Sequence, residues 1–239
     1  NKVEELSFLR EAENVLEIGA MTRQRELEFS DSVATLCPLM REAISHVGHR
    51  QTRNRGTLAG SLCHLDPSAE LVSVATAMGA IVHVAGPNGE RKIDFADFPF
   101  GYMMPSLEPD ELVTKVDFPC WPAGHGFAFV EFARRHGDFA VASVAVLLEK
   151  DDNGKIARAA LALGGVAPVP VLMREAEDIL VGQLPSEELF RDAGEACRKI
   201  EAVEDANAPS AYRQHLAVIL SQRALAIANA RMAKRDTRA

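Results

Sequence analysis

The chain has 239 residues, with 26 Lys and Arg against 34 Asp and Glu, and carries a formal charge of −8 at neutral pH. That balance excludes a general nucleic-acid binder, which needs a basic footprint to release counterions from phosphate. With 47% hydrophobic and 25% charged residues the chain is not mainly disordered, and its length allows one large domain or two modest ones.

Val15 to Gly19 reads as a short strand, and Thr22 is placed to cap the polar helix after it. From Leu36 the apolar residues Leu39, Met40, Ala43, Ile44 and Val47 share one helical face, with Gly48 at its end. After a polar, glycine-containing segment, Asp66-Pro67 reads as an N-cap and first turn, and Leu71, Val74, Ala75 and Met78 form the next buried stripe. Residues 80–85 and 91–95 flank Gly86-Pro87-Asn88-Gly89, a hairpin turn in which Asn-Gly supplies positive φ. Residues 112–118 alternate as a strand closed by Pro119.

The stretch from Pro119 to Gly126 is too rich in proline and glycine for regular structure, so the domain boundary falls there, between 1–122 and 123–239. Beyond it come three strand-like runs, 127–134, 139–149 and 155–163. Asp151-Asp152-Asn153-Gly154 joins the last two, and antiparallel pairing is expected. Helical patterns follow over 173–181, over 186–202, and from Ser210 into a basic end at Arg231 and Lys234.

The longest uncharged stretch, Ala159 to Met173, is broken by two glycines and two prolines and falls short of the about 20 apolar residues a membrane-spanning helix needs. The four cysteines, Cys37, Cys63, Cys120 and Cys197, lie too far apart for a close-spaced metal set and read as apolar fillers in a reducing compartment, with the cytoplasm the expected location. The first residues, Asn1 to Glu5, have neither an initiator Met nor the core of a signal peptide, so the natural chain is expected to begin upstream.

Two segments hold candidate chemistry. Residues 53–67, Arg-Asn-Arg-Gly-Thr-Leu-Ala-Gly-Ser-Leu-Cys-His-Leu-Asp-Pro, admit two readings. One is a backbone that approaches a phosphate with free N–H groups; the other is a helix connection carrying two glycines, which the residues alone favour. His64 reads as a structural residue and Asp66 as a cap with an oxygen to spare for a hydroxyl. Residues 134–140, Arg-Arg-His-Gly-Asp-Phe-Ala, read as a polar turn before a buried strand. There is no G-x-S-x-G, P-loop, H-E-x-x-H or G-x-G-x-x-G, which removes the common acyl-transfer, nucleotide-hydrolysis, zinc-protease and Rossmann readings.

In their order, Ile18-Gly19-Ala20-Met21-Thr22, Arg53 to Ser61, His64 to Glu70, Gly101-Tyr102, Leu107 to Leu112, Arg134 to Ala140, Gly164 to Pro168 and Tyr212-Arg213 resemble the FAD-binding medium subunit of molybdenum hydroxylases, the carbon monoxide dehydrogenase and xanthine dehydrogenase group. The resemblance covers nearly the whole chain. It implies an α+β protein: a PCMH-type, vanillyl-alcohol-oxidase-like FAD domain lacking its N-terminal part, then a C-terminal α+β domain of three antiparallel strands and helices. It further implies that Thr57, Leu58, Ala59, Gly60, Ser61 and Asp66 line FAD, that Val113 lies against it, and that Phe139 covers the isoalloxazine ring.

Molybdopterin and two [2Fe–2S] clusters are expected in a large and a small partner subunit, and NAD, a quinone or oxygen as terminal acceptor. Two departures stand out. The family's Ala-Gly-Gly-x-Ser loop would precede this sequence, and Thr-Ile-Gly-Gly appears as Thr57-Leu58-Ala59-Gly60. An acid, Glu131, also stands near where many relatives carry a base. Two other functions compete: a scaffold subunit without flavin, and a stand-alone flavoenzyme of the same superfold.

Overall fold

The computed structural model describes residues 3–236, with side chains through 232; Asn1, Lys2 and the Lys234 side chain, named above, lie outside them. The first half runs β1 (Leu9–Ala12), β2 (Val15–Gly19), α1 (Gln24–Phe29), α2 (Asp31–Leu36), α3 (Pro38–Ile44), α4 (Arg50–Arg55), α5 (Leu58–His64) and α6 (Glu70–Met78). It continues with β3 (Ile81–Gly86), β4 (Gly89–Asp94), the small hairpin β5 (Pro99–Gly101) and β6 (Met104–Pro105), and β7 (Leu112–Pro119). An antiparallel five-stranded sheet has the order β1-β2-β7-β3-β4.

Several local expectations change. Thr22 does not cap α1, whose N-cap is Arg23; its buried hydroxyl donates to Phe8 O (2.9 Å) and accepts from Phe8 N–H (3.2 Å), pinning the start of β1. The helix expected from Leu36 to Val47 is divided between α2 and α3. Pro38 occupies the first turn of α3, and Cys37 before it leaves the helical region at φ −133°, as a residue preceding proline tends to. In the β3–β4 hairpin only Gly89 has positive φ (+109°), because Pro87 and Asn88 form the turn and Asn88 stays at negative φ. A register shift between His83 and Val84, opposite β7, interrupts the alternation of β7, so that Val113, Val116 and Phe118 are buried and Leu112 is exposed.

The second half runs β8 (Gly126–Phe132), β9 (Ala142–Lys150), β10 (Ile156–Gly164), β11 (Val171–Leu172), α7 (Arg174–Leu180), α8 (Glu187–Ala196) and α9 (Ser210–Asp236). The three expected strands are present and antiparallel, and the two-residue β11 adds a fourth, in the order β11-β10-β9-β8. Phe139 is not part of β9, which begins three residues later. Alternate residues of β9 serve two cores: Ala145 and Leu147 pack with the first half, while Val144, Val146 and Leu148 pack with α7 to α9. Sheet faces covered on both sides explain the near-continuous apolar run over 140–148.

The halves also meet through polar groups. Glu42 of α3 accepts from the Phe129 amide (3.1 Å) and from Arg231 of α9, and Arg231 donates to Phe127 O (2.7 Å). Among the described residues no helix is long and apolar enough to cross a membrane.

Candidate functional site

The segment 53–67 folds mostly as helix rather than as an open connection. Leu58 and Leu62, one turn apart, bury themselves in the first core, and Thr57 caps α5 by accepting from Gly60 N–H at 3.1 Å. The first amides of α5 are all used within the protein. Leu58 N–H donates to Thr22 O (3.0 Å), Ala59 N–H to Ala20 O (3.3 Å), and Ser61 N–H to Thr57 O (3.2 Å). The reading that relied on free amides there is therefore corrected: an isolated helix start would leave them open, but β2 and the segment after it supply acceptors. Ala59 is helical, with φ below zero, so its methyl replaces a commonly bare position without backbone strain.

Asp66 likewise does not cap α6, which begins at Glu70, one residue before the first apolar stripe residue Leu71 and behind Ala69 as N-cap. Its Oδ1 accepts from Ser68 N–H (2.8 Å), and Ala69 N–H donates to Asp66 O (2.9 Å), a tight turn that places Pro67 and Ser68 at the surface of a cavity. The turn at 134–140 closes the other wall. Gly137 sits at φ +88°, and a Cβ there would meet the His49 ring at 2.5 Å, so the turn approaches the helical half closely only because it has none. Val141 N–H donates to Phe132 O (2.8 Å), tying the turn's two ends together.

Two cavities meet at this turn. The larger, about 880 Å³, is walled by Asp66, Pro67 and Ser68 on one side and by Arg134, Arg135 and Phe139 on the other, with Tyr102 also on its lining. The smaller, about 370 Å³, is lined by Gln24, Gly60, Ser61, His64 and Glu70 together with Phe139. Phe139 thus borders both, and it is 56% exposed, its ring open to solvent at the junction of the two cavities. Beneath the larger cavity, Arg213 is buried and donates to Val141 O (2.6 Å), Gly165 O (2.5 Å) and Asp205 Oδ1 (2.7 Å).

Of the eight residues named from sequence, Gly60, Ser61, Asp66 and Phe139 line the cavities. Thr57, Leu58, Ala59 and Val113 do not: the first three are packed in the α5 turn, and Val113 is buried opposite Val84 in the sheet. Residues the sequence did not single out are Gln24 and Glu70. Gln24 Oε1 is buried with no hydrogen-bond partner on the wall of the smaller cavity. Glu70 is 3% exposed, and burial pushes its carboxyl up to about 7, only partly opposed by its own backbone amide. The signal was present for Glu70, the one charged residue at the start of an otherwise uncharged helix.

Glu131 pairs with His46 (3.2 Å), and that bond holds the imidazole above its ordinary range. No group of three or more His, Cys, Asp or Glu among the described residues is arranged to hold a metal.

A family model described as "FAD binding domain in molybdopterin dehydrogenase" matches residues 1–121, and one described as "CO dehydrogenase flavoprotein C-terminal domain" matches 127–228. The chain belongs to the FAD-binding medium subunits of the molybdenum hydroxylases. It is 35% identical to the 6-hydroxypseudooxynicotine dehydrogenase complex subunit alpha of Paenarthrobacter nicotinovorans, over 95% of this chain and 77% of that one. It is 33% identical to the carbon monoxide dehydrogenase medium chain of Afipia carboxidovorans, over 95% and 79%. In three dimensions it resembles carbon monoxide dehydrogenase from Hydrogenophaga pseudoflava with a TM-score of 0.93 at 33% identity, over 97% of this chain and 80% of that chain. The medium-subunit fold accounts for the α+β architecture and for FAD as the cofactor of this chain.

The residues present fit that group. An unpartnered buried carbonyl oxygen at Gln24, an exposed aromatic at Phe139 and the neighbouring arginines of the larger cavity offer a hydrogen-bond acceptor, an apolar cover and positive charge around two cavities that share the 137–139 turn.

Proposed function

We propose that this medium subunit holds FAD across the two cavities that meet at Phe139, and that electrons pass through it from a small two-cluster [2Fe–2S] subunit to an external acceptor, NAD, a quinone or oxygen. A large molybdopterin subunit oxidises the substrate, in the cytoplasm. Residues 1–122 form the FAD domain and 123–239 the C-terminal domain that closes over it.

When bound, FAD supplies a redox centre that accepts electrons singly and releases them in pairs. The chain's own residues bind, orient and exclude water. Phe139 covers one ring face, and its apolar surface keeps solvent from that face. Arg134 and Arg135, on the wall of the larger cavity, supply positive charge opposite an anionic group. Asp66 keeps a second carboxylate oxygen for a hydroxyl after its Oδ1 is taken by Ser68. Gly60 and Ser61 form the floor of the smaller cavity, with Thr57, Leu58 and Ala59 holding them in place from behind.

The observation that carries this reading is a large aromatic side chain left exposed where two cavities join. The test is the visible absorption spectrum of the full-length protein, before and after reconstitution with FAD. Flavin bands with about one FAD per chain support the proposal. Their absence after reconstitution overturns it in favour of a scaffold subunit.

A further inference from the structure

Gly164-Gly165 at the end of β10 and Tyr212-Arg213 in the first turn of α9 meet beneath the larger cavity. Gly165 is pinched between the two cavity walls. Its N–H donates to Pro67 O (2.7 Å) on one wall. A Cβ there would lie 3.1 Å from Ser68 Oγ on that wall, and 2.9 Å and 3.1 Å from Ala140 O and Val141 O on the other. With φ at +73° as well, the position requires glycine.

Arg213 joins the same two walls from below and is 3% exposed. Its Nη1 donates to both Val141 O (2.6 Å) and Gly165 O (2.5 Å), while Nη2 donates to Asp205 Oδ1 (2.7 Å). That oxygen is itself fixed by the amides of Asn207 (2.8 Å) and Ala208 (3.1 Å), so the guanidinium is anchored as well as anchoring. Tyr212 grips from outside. Its ring meets Phe132 edge-on, with centroids 6.0 Å apart and planes at 86°, and Phe132 O accepts from Val141 N–H (2.8 Å).

We propose that Tyr212 and Arg213 are positioning residues for the cofactor: with Gly165 they seat the turn carrying Phe139 and the turn carrying Asp66 as one unit, and the first turn of α9 thereby sets the gap between the cavity walls. The inference rests on the reading that FAD occupies that gap. Phe139 is 56% exposed, so the direction of its ring is set by the ends of its turn, Phe132 and Val141, which are the two points held. The two residues differ in reach. Tyr212 touches only the Phe139 turn, whereas Arg213 also reaches the Asp66 turn through Gly165.

The experiment measures hydrogen exchange by mass spectrometry on the full-length protein, with FAD bound and after its removal, in the parent, Tyr212→Leu, Arg213→Met, Arg213→Lys and Leu220→Ala. Leu220, buried on α9 away from these contacts, controls for lost stability. In Arg213→Met, peptides over 132–141 and 66–69 are both expected to exchange about tenfold faster relative to β9, the loss of one charge-assisted hydrogen bond. Arg213→Lys, which keeps the charge without the planar fork, should fall between that variant and the parent. Tyr212→Leu should loosen 132–141 alone, and Leu220→Ala should leave both ratios at the parent's value. The visible circular dichroism of bound flavin should weaken in the Tyr212 and Arg213 variants and persist in Leu220→Ala.

Turns that exchange as in the parent, or that loosen only in step with β9, overturn the proposal and leave both residues as supports of the fold. Loosened turns with an unchanged flavin signal overturn it too. Should Arg213→Met fail to fold, Arg213→Lys and Tyr212→Leu decide by the same ratios. A parent that binds no flavin would instead overturn the cofactor reading, and the exchange ratios measured without FAD would still report whether the two turns move as one.

Discussion

The two segments richest in glycine and charge, 53–67 and 134–140, end in opposite roles. The first is absorbed into the core: Leu58 and Leu62 are buried, its opening amides are spent on Ala20, Thr22 and Thr57, and only Gly60, Ser61, His64 and the 66–67 turn touch open space. The second stands clear of the core, tied at its ends and presenting Phe139. Small residues thus serve packing in one place and close approach in the other, and composition alone does not say which.

The contrast can be broken from its foundations upward. Arg213→Ala removes the buried guanidinium that holds Val141 O and Gly165 O under the turn, leaving two carbonyls unsatisfied; urea unfolding is expected to show a loss of about 3–5 kcal/mol. Leu58→Ala opens a cavity beneath the absorbed segment, and the same measurement should register about 3 kcal/mol. Gly137→Ala forces a side chain into positive φ and against His49, for about 1–3 kcal/mol and a lowered Tm.

Glu70→Gln sharpens the comparison through pH. The folded-state carboxyl sits above its unfolded value, so its contribution is fully present at low pH and is lost as pH rises through about 7. The glutamine variant should match the parent near pH 4 and exceed it near pH 8 by on the order of 2 kcal/mol. A residual slope of the same sign should persist from His46, whose own value is also raised. Smallest of all is the stability effect of Phe139→Ala, within about 0.5 kcal/mol because the ring is largely exposed. Its FAD occupancy, read from the flavin bands, is expected to fall. A large stability loss with unchanged occupancy would reverse the role assigned to the ring.

Much of the fold was legible where one pattern acted alone. The apolar stripe of α6, the hairpin at Gly86 to Gly89 and the antiparallel strands after Gly126 follow from periodicity and turn chemistry. What was not legible depends on partners distant in sequence. Thr22 spends its hydroxyl on Phe8 rather than on α1, and Asp66 turns to Ser68 because α6 starts at Glu70, behind Ala69, rather than at Pro67. The break at Pro38 was visible in the letters but was outweighed by the apolar spacing around it. At the proposed site, four of the eight residues named from the family motifs line the two cavities. Which of their members face open space was decided by the extra residue, Thr114, in β7 opposite His83 and Val84, and by the acceptors around α5, neither of which spacing reports.

The sheet of β8 to β11 is clothed by helices from both sides, with α3 and α6 on one and α7 to α9 on the other. A protease cut among Pro122 to Gly124 would therefore leave a nicked molecule that still migrates as one particle under native conditions. Either piece produced by itself would bare a greasy surface meant for its mate, so co-production, rather than separate purification and mixing, is the practical route to a split version of this subunit.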